Sequence, residues 1–264
     1  MNPRTRPLLS TLAVLAALVL AGCGGSSGAT GSSGASGSAS RGTLTVLGAS
    51  SLTGTFTQLA KDFEADHPGV KVKLAFDSSA TLAEQVTQGA PADVLATADE
   101  DTMKTVSDAG DTARTPTAFA TNHLQLVVPK DNPAKIARFS DLDAKGVKFV
   151  VCVDTAPCGK LAAKVLAASS ITAKPVSEEV DVKAVLSKVS AGEADAGIVY
   201  ATDAVAGGDT VKPIDIPAAG QNLNSYPIAA LKGSKKARLA QQFVDLVTSS
   251  KGQKVLADAG FGNR

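Results

Sequence analysis

The chain has 264 residues, 44% of them hydrophobic and 19% charged, which supplies enough apolar side chain for a sizeable core and argues against wholesale disorder. Lys and Arg number 26 against 25 Asp and Glu, and the net charge of +1 gives no electrostatic case for nucleic acid. With two His, three Cys, no Trp and 4% aromatics, a multi-histidine metal centre is excluded, a cysteine-rich zinc site nearly so, and stacking platforms for bases or sugars lack their residues.

Residues 1–22 read as a signal peptide: Arg4 and Arg6 precede an apolar run from Leu8 to Leu20, shorter than the roughly 20 residues a bilayer span needs. The run ends in Leu20-Ala21-Gly22-Cys23, which resembles the lipobox of bacterial lipoproteins and makes Cys23 the expected lipidation site. Residues 23–42 then form a tether. From Gly24 to Ser40 the chain is almost entirely Gly, Ser and Ala and should be a flexible coil with a span of roughly 20–25 Å. Such a leader places the protein outside the cell, anchored by lipid to the outer face of the membrane. The two remaining cysteines, Cys152 and Cys158, enclose Pro157 and read as a small disulfide or as free thiols. Their spacing is not that of Cys-x-x-Cys, which counts against redox chemistry.

The body opens with a β-branched run, Thr43 to Leu47, and then a helix over 52–65 with Leu52, Phe56, Leu59, Ala60 and Phe63 on one face. Val70 to Phe76 alternates as a strand, 81–88 is a helix, Asp93 to Ala96 a strand and 99–109 a helix. This β-α order with short connections predicts an α/β fold with mostly parallel sheet. Further strands are expected at Leu124 to Val128, Phe149 to Val153, Gly197 to Tyr200 and Tyr226 to Leu231, with Val211 to Ile216 an edge strand because it contains Pro213. Helical spacing marks Leu161, Val165 and Leu166, then Val182, Val185, Leu186 and Val189, then Leu239 to Val247. No short internal repeat is visible, and two α/β lobes suit the length.

Four expected helix starts carry no arginine and bring hydroxyl and backbone donors: Gly48-Ala49-Ser50-Ser51-Leu52-Thr53, Asp77-Ser78-Ser79-Ala80-Thr81-Leu82, Ala156-Pro157-Cys158-Gly159-Lys160 and Glu179-Val180-Asp181-Val182. In open α/β sheets ligands bind beyond the carboxyl ends of strands, where helix N-termini offer unpaired N–H groups and a partial positive charge suited to an anion. A Ser-Ser pair before a helix is also ordinary capping, so the pairs alone leave capping and binding both open.

The stretches Ala49 to Thr53, Ser78 to Ala83, Gly89-Ala90-Pro91-Ala92-Asp93-Val94 and Gly197 to Ala204 (GIVYATDA) resemble the landmark motifs of the molybdate-binding proteins of ABC importers, in the same order and at similar separations. The likeness runs over about residues 43–264. It implies a two-lobed periplasmic-binding-protein fold, type II-like, each lobe a mainly parallel sheet flanked by helices. The chain would cross between lobes near 120–125 and 225–230, giving lobe 1 as 43–122 plus 229–264 and lobe 2 as 123–228. It implies a tetrahedral oxyanion, molybdate or tungstate, held in the cleft by the hydroxyls of Ser51, Ser79 and Tyr200 and the backbone N–H groups of Cys158 and Val182. It implies no catalytic residue, no cofactor and no metal beyond that oxyanion. The partners would be a membrane permease and its ATPase, with the binding protein a monomer. Two positions depart from the pattern: Cys158 replaces a small residue in the Pro-x-Gly turn, and Asp77 brings a carboxylate close to an oxyanion serine. Asp77 is expected to face solvent or cap the helix that follows; turned to the ligand, it would favour a protonated oxyanion.

Four rivals stand beside this reading, one of them a pure adhesion or scaffold lipoprotein, which would not need donor-rich helix starts. Another tetrahedral oxyanion, sulfate or phosphate, would suit the same donors. A serine hydrolase needs a base, yet Gly48-Ala49-Ser50-Ser51-Leu52 lacks the second Gly of Gly-x-Ser-x-Gly, His67 precedes Pro68 in a turn and His123 falls at an expected hinge. A binder of amino acids would want an Arg in the cleft, and none stands at the four helix starts.

Overall fold

The structure, a computed structural model, describes residues 42–263. The expected signal peptide, Cys23 and the tether up to residue 41 lie outside the described residues. The strands are β1 (Gly42–Ala49), β2 (Val70–Asp77), β3 (Val94–Ala96), β4 (Thr117–Asn122), β5 (Leu124–Pro129), β6 (Phe149–Cys152), β7 (Ser177–Glu179), β8 (Ala196–Tyr200), β9 (Val211–Asp215) and β10 (Asn224–Ala230). The α-helices are α1 (Thr53–Asp66), α2 (Ser79–Thr87), α3 (Glu100–Asp108), α4 (Pro157–Ala168), α5 (Val182–Ser190), α6 (Ala201–Gly207), α7 (Ala237–Thr248) and α8 (Ser250–Asp258). Gly42, read as the last tether residue, already pairs with Val70 in β1.

Two five-stranded sheets carry the fold, in the orders β2-β1-β3-β10-β4 and β7-β6-β8-β5-β9. Each is laid out alike: the first, second and third strands of the lobe run parallel, and the fourth in spatial order is reversed between parallel neighbours. The reversed strands, β5 and β10, are the ones reached directly after the chain passes from one sheet to the other. Mainly parallel therefore describes strand direction, while the ladders themselves are mixed. The first passage is a single residue, His123, between β4 and β5. The second lies between Asp215 and Asn224, ahead of the expected 228/229 boundary, because β10 pairs with the first sheet from Asn224 onward.

Alternation within β1 explains how the first sheet is covered on both faces. Leu44 and Val46 join the cluster that contains Phe56 and Phe63 of α1 and Phe243 of α7, whereas Leu47 joins Leu82 and Val86 of α2 and Met103 and Val106 of α3. Phe56 and Phe63 pack edge-on to Phe243, with ring centroids 5.9 and 5.4 Å away. Pro213 lies in β9, an edge strand as its missing donor requires. Pro227 lies in the interior strand β10, where the register shifts between Tyr226 and Pro227, and a bulge is where an interior proline is tolerated. Gly197 lets α5 close on β8, since a Cβ there would come within 2.7 Å of Val189 and 2.8 Å of Val185.

Candidate functional site

Register puts the helix starts side by side. In the first sheet Ala49 is level with Asp77, so the adjacent strands β1 and β2 deliver their Ser-Ser pairs at the same height. In the second sheet Cys152 is level with Glu179, which brings the starts of α4 and α5 together. These four ends, with Ala98 after β3 and Tyr200 at the end of β8, line one small space. Ala49, Ser50, Ser51, Asp77, Ser78, Ser79 and Ala98 furnish the first-lobe wall, and Pro157, Cys158, Asp181, Val182 and Tyr200 the second. Ser51, Ser79, Cys158, Val182 and Tyr200 thus share one lining. Ser50, Ser78, Ala98 and Asp181 were not singled out by sequence reasoning. The neighbouring serine of each pair was the available signal for two of them; Ala98 offered none.

The donors have distinct origins. Ser79 Oγ accepts the backbone N–H of Ala98 at 2.9 Å, which leaves its own proton for the cavity. Ser51 Oγ lies 3.1 Å from the hydroxyl of Tyr226, and Tyr200 Oη lies 2.7 Å from Asn224 Nδ2. Burial pushes both tyrosine hydroxyls well above their ordinary pKa, so both stay neutral and protonated. At α4 the proline occupies the first helical position, where a missing N–H costs nothing, and the amides of Cys158 and Gly159 fall in the unpaired first turn. At α5 the Asp181 carboxylate accepts the N–H of Ala184 at 2.9 Å, leaving those of Val182 and Lys183 without an intrahelical carbonyl.

No Lys or Arg lies on the lining, but two lysines flank it and each is paired. Lys160 of α4 reaches across to Asp99, the N-cap of α3 in the other lobe, at 3.3 Å. Lys183 lies 2.8 Å from the wholly buried carboxylate of Asp203; burial raises the Asp203 pKa and Lys183 opposes the rise. Asp77 does line the space, so it neither turns wholly to solvent nor caps α2 through its later amides. Its Oδ1 accepts the N–H of the next residue, Ser78, at 2.6 Å.

Other sequence features have structural roles. Asp93, in the Gly89 to Val94 motif, is off the lining; its carboxylate accepts from Thr45 N–H at 2.7 Å and from Ser234 Oγ at 2.6 Å and so fastens β1 to the segment after β10. Neither histidine is on the lining. His67 Nδ1 bonds the Phe63 carbonyl at 2.9 Å with its ring stacked on Phe63, so its imidazole does not stand beside the serines. Cys152 and Cys158 are joined through their sulfurs, with Cα atoms 5.8 Å apart. No group of His, Cys, Asp or Glu among the described residues is arranged to hold a metal ion.

Residues 44–262 match the family described as Bacterial extracellular solute-binding protein. The molybdate-binding protein ModA of Mycobacterium tuberculosis is 44% identical over 219 residues, 83% of this chain and 84% of that protein. Among solved structures, the periplasmic molybdate-binding protein of Azotobacter vinelandii aligns with a TM-score of 0.76 at 21% identity, covering 84% of this chain and 99% of that one. The sulfate-binding protein SubI of Mycobacterium tuberculosis aligns with a TM-score of 0.74 at 20% identity, over 83% and 86% of the two chains. At these identities the two structures speak to the fold.

Proposed function

We propose that this chain, which belongs to the family of bacterial extracellular solute-binding proteins, is the substrate-binding component of an ABC importer that captures molybdate between its lobes and presents it to a membrane permease and its ATPase. The observation that carries this reading is the shared lining: hydroxyls and free first-turn amides from both sheets converge on one small space with no cationic side chain in it. A tetrahedral dianion would be bound by Ser51, Ser79 and Tyr200 through their hydroxyls and by Cys158 and Val182 through backbone N–H. A hydrogen bond to a charged group contributes about 1.5–3 kcal/mol net, so five such bonds suffice for affinities of roughly 8–11 kcal/mol, the micromolar to nanomolar range. Because the donors are divided between two lobes, the anion is fully bonded only when both meet, and ligand binding therefore favours the closed form.

Tungstate, with the same charge and shape, belongs in the same site. Discrimination from sulfate rests on cavity size, since both anions are doubly charged and proton-free near neutral pH. The protein acts as a monomer held to the outer face of the membrane through Cys23, and in that oxidising compartment Cys152 and Cys158 are disulfide-bonded. One observation favours a second oxyanion: the Asp77 carboxylate on the lining is an acceptor that hydrogen phosphate could use. Isothermal titration and thermal shift with molybdate, tungstate, sulfate, phosphate and amino acids decide among these. Molybdate and tungstate should raise the melting temperature strongly and sulfate weakly. A preference for phosphate would replace the ligand while keeping the site, and no response to any oxyanion would refute the reading.

A further inference from the structure

Building on the oxyanion reading above, we propose that Tyr226, itself held by Asn122, is a positioning residue that turns the Ser51 hydroxyl proton toward the ligand and so favours a proton-free oxyanion at that hydroxyl, against the pull of the Asp77 acceptor. Tyr226 is wholly buried and absent from the lining, so it cannot act by direct contact. Its ring is packed edge-on by Phe119, Tyr200 and Phe261, with centroids 6.2, 5.9 and 5.4 Å away. It sits at the bulge of β10, the kind of irregularity that re-aims a side chain.

The direction of the proton chain follows from one backbone contact. Asn122 Oδ1 accepts the N–H of His123 at 3.0 Å, which fixes the amide orientation. Asn122 Nδ2, able only to donate, then faces Thr202 Oγ1 at 2.9 Å and Tyr226 Oη at 3.4 Å. With Asn122 donating to Tyr226 Oη, the tyrosine's own proton is free for Ser51 Oγ, its hydroxyl partner at 3.1 Å, and this is the direction we assign. Ser51 accepts in turn, so its remaining proton is the one available to the cavity. Ser79 has the same polarity by a shorter route, through the Ala98 amide. Both first-lobe hydroxyls are thereby committed as donors. A proton-free dianion gains from both, whereas hydrogen phosphate brings a proton that neither donating serine favours and that must turn to the Asp77 carboxylate on the same lining. Burial keeps the Tyr226 hydroxyl protonated, so the chain holds its direction across the working pH range.

Tyr226→Phe keeps the ring and removes the donor. Asn122→Asp keeps the ring and the hydroxyl but replaces the donor by an acceptor, drawing the Tyr226 proton away from Ser51. Each is titrated with molybdate and with inorganic phosphate from pH 6 to 8 beside the unaltered protein. Molybdate affinity should fall about threefold to tenfold in either variant, up to but not beyond one charge-assisted hydrogen bond, because Ser51 keeps its hydroxyl and loses only its fixed direction. Phosphate affinity should hold or rise, narrowing the molybdate-to-phosphate ratio by at least that factor. A purely structural defect would weaken both ligands alike and leave the ratio unchanged, and that result overturns the proposal while the transport reading stands. If the unaltered protein binds no oxyanion at all, both readings fall together.

Discussion

In the first lobe the strands ending at Ala49 and Asp77 run into Ser-Ser pairs; in the second, the strands ending at Cys152 and Glu179 run into Pro157-Cys158-Gly159 and Asp181-Val182. The sheets share one strand plan, so the two walls of the cleft occupy equivalent places. They are furnished differently. The first wall offers side-chain hydroxyls, whereas the second offers main-chain amides and a single tyrosine. A hydroxyl is removed by one substitution. A main-chain donor survives any side chain that leaves the backbone path alone, and so its security lies in the path. Gly159 shows this: a Cβ there would fall 1.9 Å from the Val153 carbonyl oxygen, so the close approach of α4 to the end of β6 admits only glycine.

The largest effect should come from the hydroxyl wall. Ser79→Ala removes one of the proposed donors and should weaken molybdate binding about 10- to 100-fold, read by titration calorimetry. It also strips the buried Ala98 N–H of its acceptor, so stability should fall by about 1–3 kcal/mol in a urea melt. An unchanged affinity would remove the hydroxyl wall from the site and end the comparison.

A smaller effect should follow from loosening the path on the other wall. Replacing both Cys152 and Cys158 by Ser frees the turn that aims the amide of Cys158 while keeping that amide. Loop-closure entropy for so short a loop gives a stability loss of about 2 kcal/mol in a denaturant melt. The affinity loss should be only a few-fold, since the proline, the glycine and the strand end still hold the turn. A loss as large as that of Ser79→Ala would mean that the disulfide, rather than the backbone fold around it, positions the donor.

This asymmetry also governs what could be read from the chain. The Ser pairs at 50–51 and 78–79 announce themselves because hydroxyls are visible in a sequence, and the strands before them announce themselves by β-branched runs. The proposed roles of Cys158 and Val182 rest on atoms every residue possesses, so nothing in their own chemistry marks them; only the motif around them does. Some elements were silent for local reasons: β7 is Ser-Glu-Glu with no apolar signal, β4 alternates only weakly through Thr117 to Asn122, and α6 is a short helix after Tyr200. The apolar run Leu239 to Val247 gave no sign that Ser249 would end one helix and cap another, accepting the Gly252 N–H at 3.2 Å. The layer behind the lining was least legible. Asn122 and Tyr226, or Lys160 and Asp99, meet through tertiary structure alone, and no spacing links them.

The smallest effect separates main-chain from side-chain recognition most sharply. Val182→Ala trims a buried side chain at the first position of α5, at the lining, while the Asp181 cap that starts the helix is untouched. Losing two buried methyl groups should lower stability by about 2 kcal/mol. If the amide is the donor, molybdate affinity should stay within about twofold, because neither the N–H nor the helix dipole behind it has changed. The pairing of the two numbers is what matters. At Ser79 stability and affinity should fall together, while at Val182 stability should fall alone. Should Val182→Ala cost as much affinity as Ser79→Ala, shape rather than donors would govern the second wall, and cavity fit would have to carry the recognition assigned here to hydrogen bonds.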